Sequence, residues 1–455
     1  MKNYNGINQT KLKGFELLDL PNGWEVAKFE NLVLDKISGE WGTENKESPE
    51  ATGCYVLRGT DFSKVAVGKF DNVPFRYIKN KICEKKKLEE GEILIELSGG
   101  SKDQPTGRIF LVTYNLIKNA SKTILFSNFV KRLKLKETVV SPEYFYRYWQ
   151  FLYNQGKTSV YEKRTTGIRN FKYRDFLENE FIPLPPLPEQ KKIVAVLSAV
   201  QEAKEKTEEV IRAAKELKKS LLEYLFTYGP VSPEQAGNVT LKETEIGMIP
   251  EDWEVVKLKE LHLDVSDGNY GEKYPRQSEF IDSGIPFIRA NNIRDLKITW
   301  KDMRYISEEK HEFLQKGHLK FNDILITTRG EIGQVAFVDE EFVDCNINAQ
   351  IVRINTKDKI ISKFFLYCLA CEKSQAQFYE LKTGSTLQQL PVGRLLGLKV
   401  PLPPFDEQQK IAEILSAIDK KIEAEENKKK SLEELFKTLL NNLMTGIIRV
   451  NNLEV

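Results

Sequence analysis

Reactive side chains are scarce in this sequence. It holds 3 histidines, 5 cysteines and 4 methionines among 455 residues, and no apolar run approaches the length of about 18 that spans a membrane. Cys54, Cys83, Cys345, Cys368 and Cys371 are too few and too scattered for a disulfide framework, so a reducing, cytoplasmic setting is expected. The opening MKNYNGINQT lacks the apolar segment of a signal peptide, and export is not expected. An excess of one charge is also missing. Lys and Arg total 68 against 66 Asp and Glu, which neither supports nor excludes nucleic acid, because binding depends on where the charge sits. With 41% hydrophobic and 29% charged residues the chain reads as folded, and its length calls for two or more domains.

The usual catalytic constellations are missing too. Gly156-Lys157-Thr158 resembles the end of a phosphate-binding loop, but Phe151 stands where the upstream glycine belongs, and no GxGxxG fingerprint occurs. His262, His311 and His318 form no recognised metal or catalytic spacing, so no metal site is expected. Cys368-Leu369-Ala370-Cys371 has ligand spacing but lies in an apolar, helix-like stretch without a second pair, which favours core cysteines. A base-flipping adenine methyltransferase needs Asp or Asn before Pro-Pro-aromatic, and here leucine precedes both Pro185-Pro186 and Pro403-Pro404. No catalytic residue is assigned.

What the chain does contain is written twice. Pro21-Asn22-Gly23-Trp24-Glu25-Val26 returns as Pro250-Glu251-Asp252-Trp253-Glu254-Val255, and Val56-Leu57-Arg58-Gly59 as Phe287-Ile288-Arg289-Ala290. Gly91-Glu92-Ile93-Leu94-Ile95 is echoed by Asn322-Asp323-Ile324-Leu325-Ile326, and Leu184-Pro185-Pro186-Leu187-Pro188-Glu189-Gln190 by Leu402-Pro403-Pro404-Phe405-Asp406-Glu407-Gln408. Four echoes in one order predict two similar domains. Short β-rich runs (Cys54–Leu57, Ile93–Leu97, Arg108–Val112, Phe129–Leu133; then Phe287–Arg289, Ile324–Thr327, Gln334–Phe337, Ala349–Ile354) precede a helix at Pro142–Leu152 and at Ser362–Cys371. Each unit therefore reads as α/β. Prolines 183–188 and 401–404 read as stiff extended connectors unable to continue a ladder.

Each connector opens a long helix without breakers, about 35 residues from Glu189 and again from Glu407. Ile193, Leu197, Val200, Ile211, Leu221 and Leu225 follow 4-3 spacing, and so do Ile411, Leu415, Ile418, Ile422, Leu432, Leu439 and Leu443, 218 residues on in register. Such stripes need partners, and an antiparallel pair gives a pseudo-twofold coiled coil. At roughly 1.5 Å per residue the rod is roughly 50 Å, the length of roughly 15 base pairs. Apolar residues flanking the seam (Val194, Val196, Leu217, Leu222, Ile414, Leu435, Leu440) widen the stripe toward a bundle with another subunit. The expected domains are residues 1–183, a connector and helix at 184–228, a linker at 229–249, a second domain at 250–401, a connector and helix at 402–446, and a tail at 447–455.

The doubled Leu-Pro-Pro…Glu-Gln words, the Pro…Trp-Glu openings and the turns Arg164-Thr165-Thr166-Gly167-Ile168 and Thr383-Gly384-Ser385-Thr386-Leu387 resemble the specificity subunit of type I restriction–modification systems. The first head departs slightly, with Arg-Thr-Thr-Gly-Ile in place of the commoner Gly-Ser/Thr form. The resemblance covers nearly the whole chain. It implies two target recognition domains, each reading one half of a gapped, asymmetric double-stranded DNA target, joined by spacer helices. It also implies two modification subunits that bring S-adenosylmethionine and methylate adenine, and restriction subunits that use ATP and magnesium. This chain itself binds no cofactor in that scheme. The rival reading is a bivalent coiled-coil adaptor for proteins or for DNA without sequence preference.

Candidate DNA contacts follow from residue chemistry. Arg58 and Arg289 stand at equivalent strand ends, where arginine can read guanine, grip phosphate or form a structural salt bridge. The polar turns Ser98-Gly99-Gly100-Ser101-Lys102 and Thr327-Thr328-Arg329-Gly330-Glu331 permit close backbone approach, with an ordinary tight turn as the alternative. Asn291 and Asn292 could pair with adenine or cap a turn. Lys157, Tyr161, Lys163, Arg164 and Arg169 interleave bases and an aromatic, as a DNA-facing or merely solvated run. Pro185, Pro186, Glu189 and Gln190, with Pro403, Pro404, Glu407 and Gln408, are read as joint-formers where each head meets its helix.

Overall fold

The computed structural model describes residues 20–101, 104–165 and 168–450. The chain divides into two compact units, residues up to Lys206 together with those from Lys429, and Thr207–Lys428. Each unit holds one head, the start of one long helix and the end of the other.

The two main sheets of the heads match strand for strand. In the first, an antiparallel sheet runs Val33–Ser38, Val130–Leu135, Ile93–Glu96, Ile109–Leu111; in the second it runs Asp264–Asp267, Ile351–Asn355, Ile324–Thr327, Val335–Phe337. Beside it lies a mixed sheet, Phe75–Lys79, Ala51–Leu57, Ile124–Phe126, matched by Arg304–Ile306, Ile285–Ile288, Asn346–Ile347. In both, the middle strand is antiparallel to the first and parallel to the last.

The Ile-Leu-Ile echo is the most buried strand of each head, with every side chain inside. The residues before it explain the rest of that word. Gly91 and Asn322 both take left-handed backbone (φ 82° and 68°), a conformation that favours glycine and asparagine. Glu92 and Asp323 follow, buried, accepting the backbone N–H of Glu89 and of Lys320. An arginine of the adjacent strand faces each acid, Arg132 to Glu92 Oε1 at 3.3 Å and Arg353 to Asp323 Oδ2 at 3.4 Å. Such a charge inside a core is tolerated because it is paired.

Helices Pro142–Asn154 and Ser362–Ala370 pack their aromatic faces on these sheets. Phe29, Phe145, Trp149 and Phe176 cluster in the first core, and the Trp149 indole donates to Gly107 O at 2.9 Å. Phe226, Phe364, Phe365, Cys368 and Cys371 lie in the second.

The prolines correct one expectation. Pro183 and Pro401 are ladder residues, opposite Val26 in the pair Glu25–Lys28 with Phe181–Leu184 and opposite Val255 in Glu254–Lys257 with Lys399–Leu402. Both ladders have only two strands, so a position without N–H can face away from its partner. Residues 229–249 are likewise more than a linker. They fold into the hairpin Leu241–Thr244 with Gly247–Pro250, and Ile246 and Ile249 enter the second core. The tail is anchored through Val450, buried in the first core.

The long helices span Leu187–Tyr228 and Phe405–Met444. Within each unit their segments run antiparallel. In the first, Ile193 and Leu197 pack with Leu440, Leu443 and Met444, with Leu439 partly buried against them. In the second, Leu221 and Leu225 join Ile411 and Leu415, and Lys218 and Lys215 pair with Asp419 and Glu426. Ile422 is buried, whereas Val200, Ile211, Ile418 and Leu432 are half-buried. Polar Thr207 and Glu425 occupy buried seam positions 218 residues apart, so the middle of each stripe is not purely apolar.

Candidate nucleic-acid interface

In the first head the fold brings together candidates that are far apart in sequence. Ser98–Gly99 forms the edge of a three-stranded sheet with the hairpin Glu162–Thr165 and Ile168–Phe171, with Gly99 opposite Arg169 and Ser98 opposite Asn170. Ser98 Oγ donates to Asn170 Oδ1 at 2.9 Å. The Arg58-Gly59 corner adjoins the same place. A β-carbon on Gly59 would fall 2.5 Å from Glu96 Oε1, and one on Gly99 3.0 Å from the same atom. Only glycine lets both backbones close on that buried carboxylate, which Arg108 neutralises.

Both arginine candidates of this head whose side chains are described have internal partners. Arg58 grips buried Asp61 through Nε and Nη2 at 3.0 and 2.9 Å and donates to Asn72 O, and this hydrogen bonding raises its pKa. Arg169 pairs with buried Glu162 at 3.3 Å. Tyr161 donates to Glu180 and packs edge-on against Phe176, so it belongs to the core margin. Lys163 is exposed and Lys157 half-buried. Gly100 turns with φ 73°, and Ser101 closes a turn on Gln104. Lys102 lies outside the described residues, and Arg164 is placed by its backbone alone, opposite Arg169.

The second head differs at the equivalent corner. Asn292 replaces Asp61, so Arg289 has no carboxylate within ion-pair distance among the described residues. It donates to the carbonyl of Asp302, and its Nε is buried without a partner. Burial and nearby Arg304 lower its pKa. Asn292 itself is fully buried. Its carboxamide accepts from Arg289 N at 3.0 Å and donates to Lys301 O at 2.8 Å, which leaves no edge for a base. Of the two asparagines only Asn291 is exposed.

Arg329 is the most accessible arginine among the candidates whose side chains are described. It lies at the end of Ile324–Thr327, exposed, over the half-exposed Tyr270 ring at 5.5 Å, and it too lacks a carboxylate partner among the described residues. Its backbone bridges to Gln389, which places the exposed turn 384–389 alongside. Gly330 has φ 75° and open space around it. Buried Thr328 instead ties the strand end to Gln350 O. Tyr270 and Gln389 gave no signal in the sequence, because loop neighbours are set by the fold.

The helix junctions are resolved to atoms. Trp24 Nε1 donates to Glu189 Oε2 at 3.1 Å, and Trp253 Nε1 to Glu407 Oε2 at 2.8 Å. Gln190 Oε1 accepts from Ser141 N while its amide donates to Pro185 O; Gln408 does the same with Ile361 N and Pro403 O. Pro186 and Pro404 carbonyls accept the first helical N–H groups. These residues join head to helix and leave no reactive group free.

Comparison with known proteins agrees with this arrangement. Residues 60–214 and 250–434 match the family described as type I restriction modification DNA specificity domain. The chain is 30% identical over 447 residues to the type I restriction enzyme MjaVIII specificity subunit of Methanocaldococcus jannaschii, covering 96% of this chain and 95% of that one. It is 26% identical to the putative MjaX specificity subunit of the same organism, over 97% of both chains. Among solved structures, the type I restriction–modification S subunit from M. genitalium superposes with a TM-score of 0.57 at 17% identity, over 94% of this chain and 98% of that one. Two repeated heads, two long helices and the matched family model together lead to one statement: the chain belongs to the type I restriction–modification DNA specificity family.

Proposed function

We propose that each head of this specificity subunit reads one half of a gapped duplex target, and that the long helices carry the modification subunits. Arg329 carries the reading. An exposed guanidinium without a carboxylate partner, held over an aromatic ring beside a polar loop, offers the forked donor geometry that guanine O6 and N7 accept. The Ser98–Gly99 edge occupies the corresponding strand end in the first head.

Chemistry would come from the partners: S-adenosylmethionine on modification subunits, ATP and magnesium on restriction subunits. The helices offer them matched exposed apolar side chains, since Leu217 and Leu435 are 53% and 45% exposed at positions 218 residues apart. No helix of the described residues is long and apolar enough to cross a membrane.

The test is to map methylated adenines in cells carrying this chain with its modification subunit. A bipartite motif with a fixed gap is expected. Inserting about four residues in one long helix adds about 6 Å and should lengthen the gap by about one to two base pairs while preserving both half-sites. Altered half-sites with an unchanged gap would overturn the division of labour.

A further inference from the structure

Two of the three histidines, scattered in sequence, converge in the second head. His311 lies in the helix Glu308–Phe313, His318 in the turn after it, and Asp344 just before strand Asn346–Ile347. His311 Nε2 is 3.4 Å from Asp344 Oδ2, and His318 Nδ1 is 3.2 Å from Asp344 Oδ1. One ligand-type atom from each residue lies within 4.8 Å of the others.

Hydrogen bonding aims these atoms. His318 Nε2 contacts the carbonyl of Leu314, which can only accept, and this turns the Nδ1 edge of the ring to Asp344. His311 Nδ1 contacts Asn346 Oδ1, which turns its Nε2 edge to Asp344 in the same way. One nitrogen of each imidazole thus faces one oxygen of the same carboxylate, so two ring nitrogens and a carboxylate converge on one place.

We propose that His311, His318 and Asp344 bind one divalent transition-metal ion of zinc type. A tetrahedral ion with nitrogen and oxygen ligands at about 2.0–2.1 Å sets its ligands about 3.3 Å apart; His311 stands at about that distance from Asp344 Oδ2 and His318 from Oδ1, so a turn of the carboxylate presents one oxygen to both. Two imidazoles and a carboxylate suit zinc and its neighbours, and leave a fourth position on the side where Asp344 is 69% exposed. Asn346 holding the far nitrogen of His311 is the outer partner that metal-bound histidines usually have.

The ion would pin the helix Glu308–Phe313 and its following turn to strand Asn346–Ile347, which pairs with the strand leading into Arg289. The first head ties its equivalent helix, Asn80–Lys86, differently, through Cys83 against Cys54 with sulfurs 3.3 Å apart. Equivalent places in the repeat thus carry two kinds of soft-atom or imidazole contact, and only the second has a ligand set with a carboxylate.

The proposal is tested on the purified, tag-free full chain, stripped with chelator and titrated with zinc against a chromophoric chelator. One equivalent of zinc should bind, and cobalt should give the visible spectrum of a four-coordinate ion. His318→Gln and Asp344→Asn alter partly exposed groups, so circular dichroism should stay native while zinc affinity falls at least about 10-fold. His262→Gln, at an exposed position outside the cluster, should bind as wild type. If the wild type takes up no zinc, the three groups form only a histidine–aspartate ion pair and the proposal falls. It falls equally if both variants bind zinc as tightly as the wild type.

Discussion

The indole N–H of Trp24 reaches Glu189 Oε2 across 165 residues, and Trp253 reaches Glu407 in the same way across 154. Each link joins the residue just before a strand, Glu25–Lys28 or Glu254–Lys257, to the first turn of the helix that leaves the head. The two repeated words of the sequence, Pro-x-x-Trp and Pro-Pro-x-x-Glu-Gln, are therefore the two halves of a single contact. The copies are not equal. Glu189 is buried and also held by Arg449 through two hydrogen bonds, at 3.0 and 2.8 Å, whereas Glu407 is half-buried.

Trp24→Phe keeps an aromatic ring but loses the pyrrole half of the indole, and with it the donor to a charged acceptor. We expect a loss of about 1.5–3 kcal/mol in the stability of the first unit, measured by urea unfolding. Trp253→Phe should cost less, because water can reach Glu407. Equal losses would show that the buried setting of Glu189 adds nothing.

Arginines that look equivalent in the sequence should behave differently. Arg58→Ala leaves buried Asp61 without its partner, so it should destabilise the first head by about 1–3 kcal/mol, moderated by the 41% exposure of the arginine. Arg329→Ala touches no carboxylate and should leave unfolding unchanged. It should cost about 1–3 kcal/mol of discrimination at one position of the second half-site, read by selection from a randomised DNA library with the modification subunit present. Uniform weakening across all sequences would instead mark Arg329 as a phosphate contact.

Repetition made the architecture legible before any coordinates. The Ile-Leu-Ile echo is a buried strand in each head and each proline connector opens a long helix, because burial and periodicity are local signals. Partners are not local. Nothing in the sequence near Asn292 reveals that Thr299 and Lys301 enclose its carboxamide, or that Asp344 lies against His311 and His318. Pro183 misled for a related reason, since proline forbids an inner ladder position but is accepted in a ladder of two strands.

All five cysteines are buried, and desolvation, reinforced in Cys54 by Cys83 and in Cys345 by Asp344, pushes the Cys54 and Cys345 thiols up to about 12. Thiolate is the reactive form, so the native chain at pH 8 should resist a thiol-specific reagent such as DTNB, and denaturant should release five reactive groups. Rapid labelling of one cysteine in the native state would show that its core opens locally.

The helix ends offer a comparison between two glycines. Gly229 follows the first long helix and Gly446 the second, both with left-handed backbone, φ 77° and 76°. Each stops its helix against the proline and tryptophan of a head, Pro250 and Trp253 for Gly229, Pro21 and Trp24 for Gly446. Alanine at either site incurs the left-handed cost, about 1–2 kcal/mol. The surroundings then separate them. A β-carbon on Gly229 meets its neighbours at 3.4 Å or more, an ordinary contact, whereas one on Gly446 falls 2.6 Å from the Pro21 ring. A rigid ring at that distance must move, which adds roughly 1–3 kcal/mol of overpacking. Gly446→Ala should therefore lower the unfolding midpoint clearly more than Gly229→Ala, followed by circular dichroism in urea. The reverse order would mean that the second helix yields at its end, and that its seating on Pro21 and Trp24 contributes little to holding the first head.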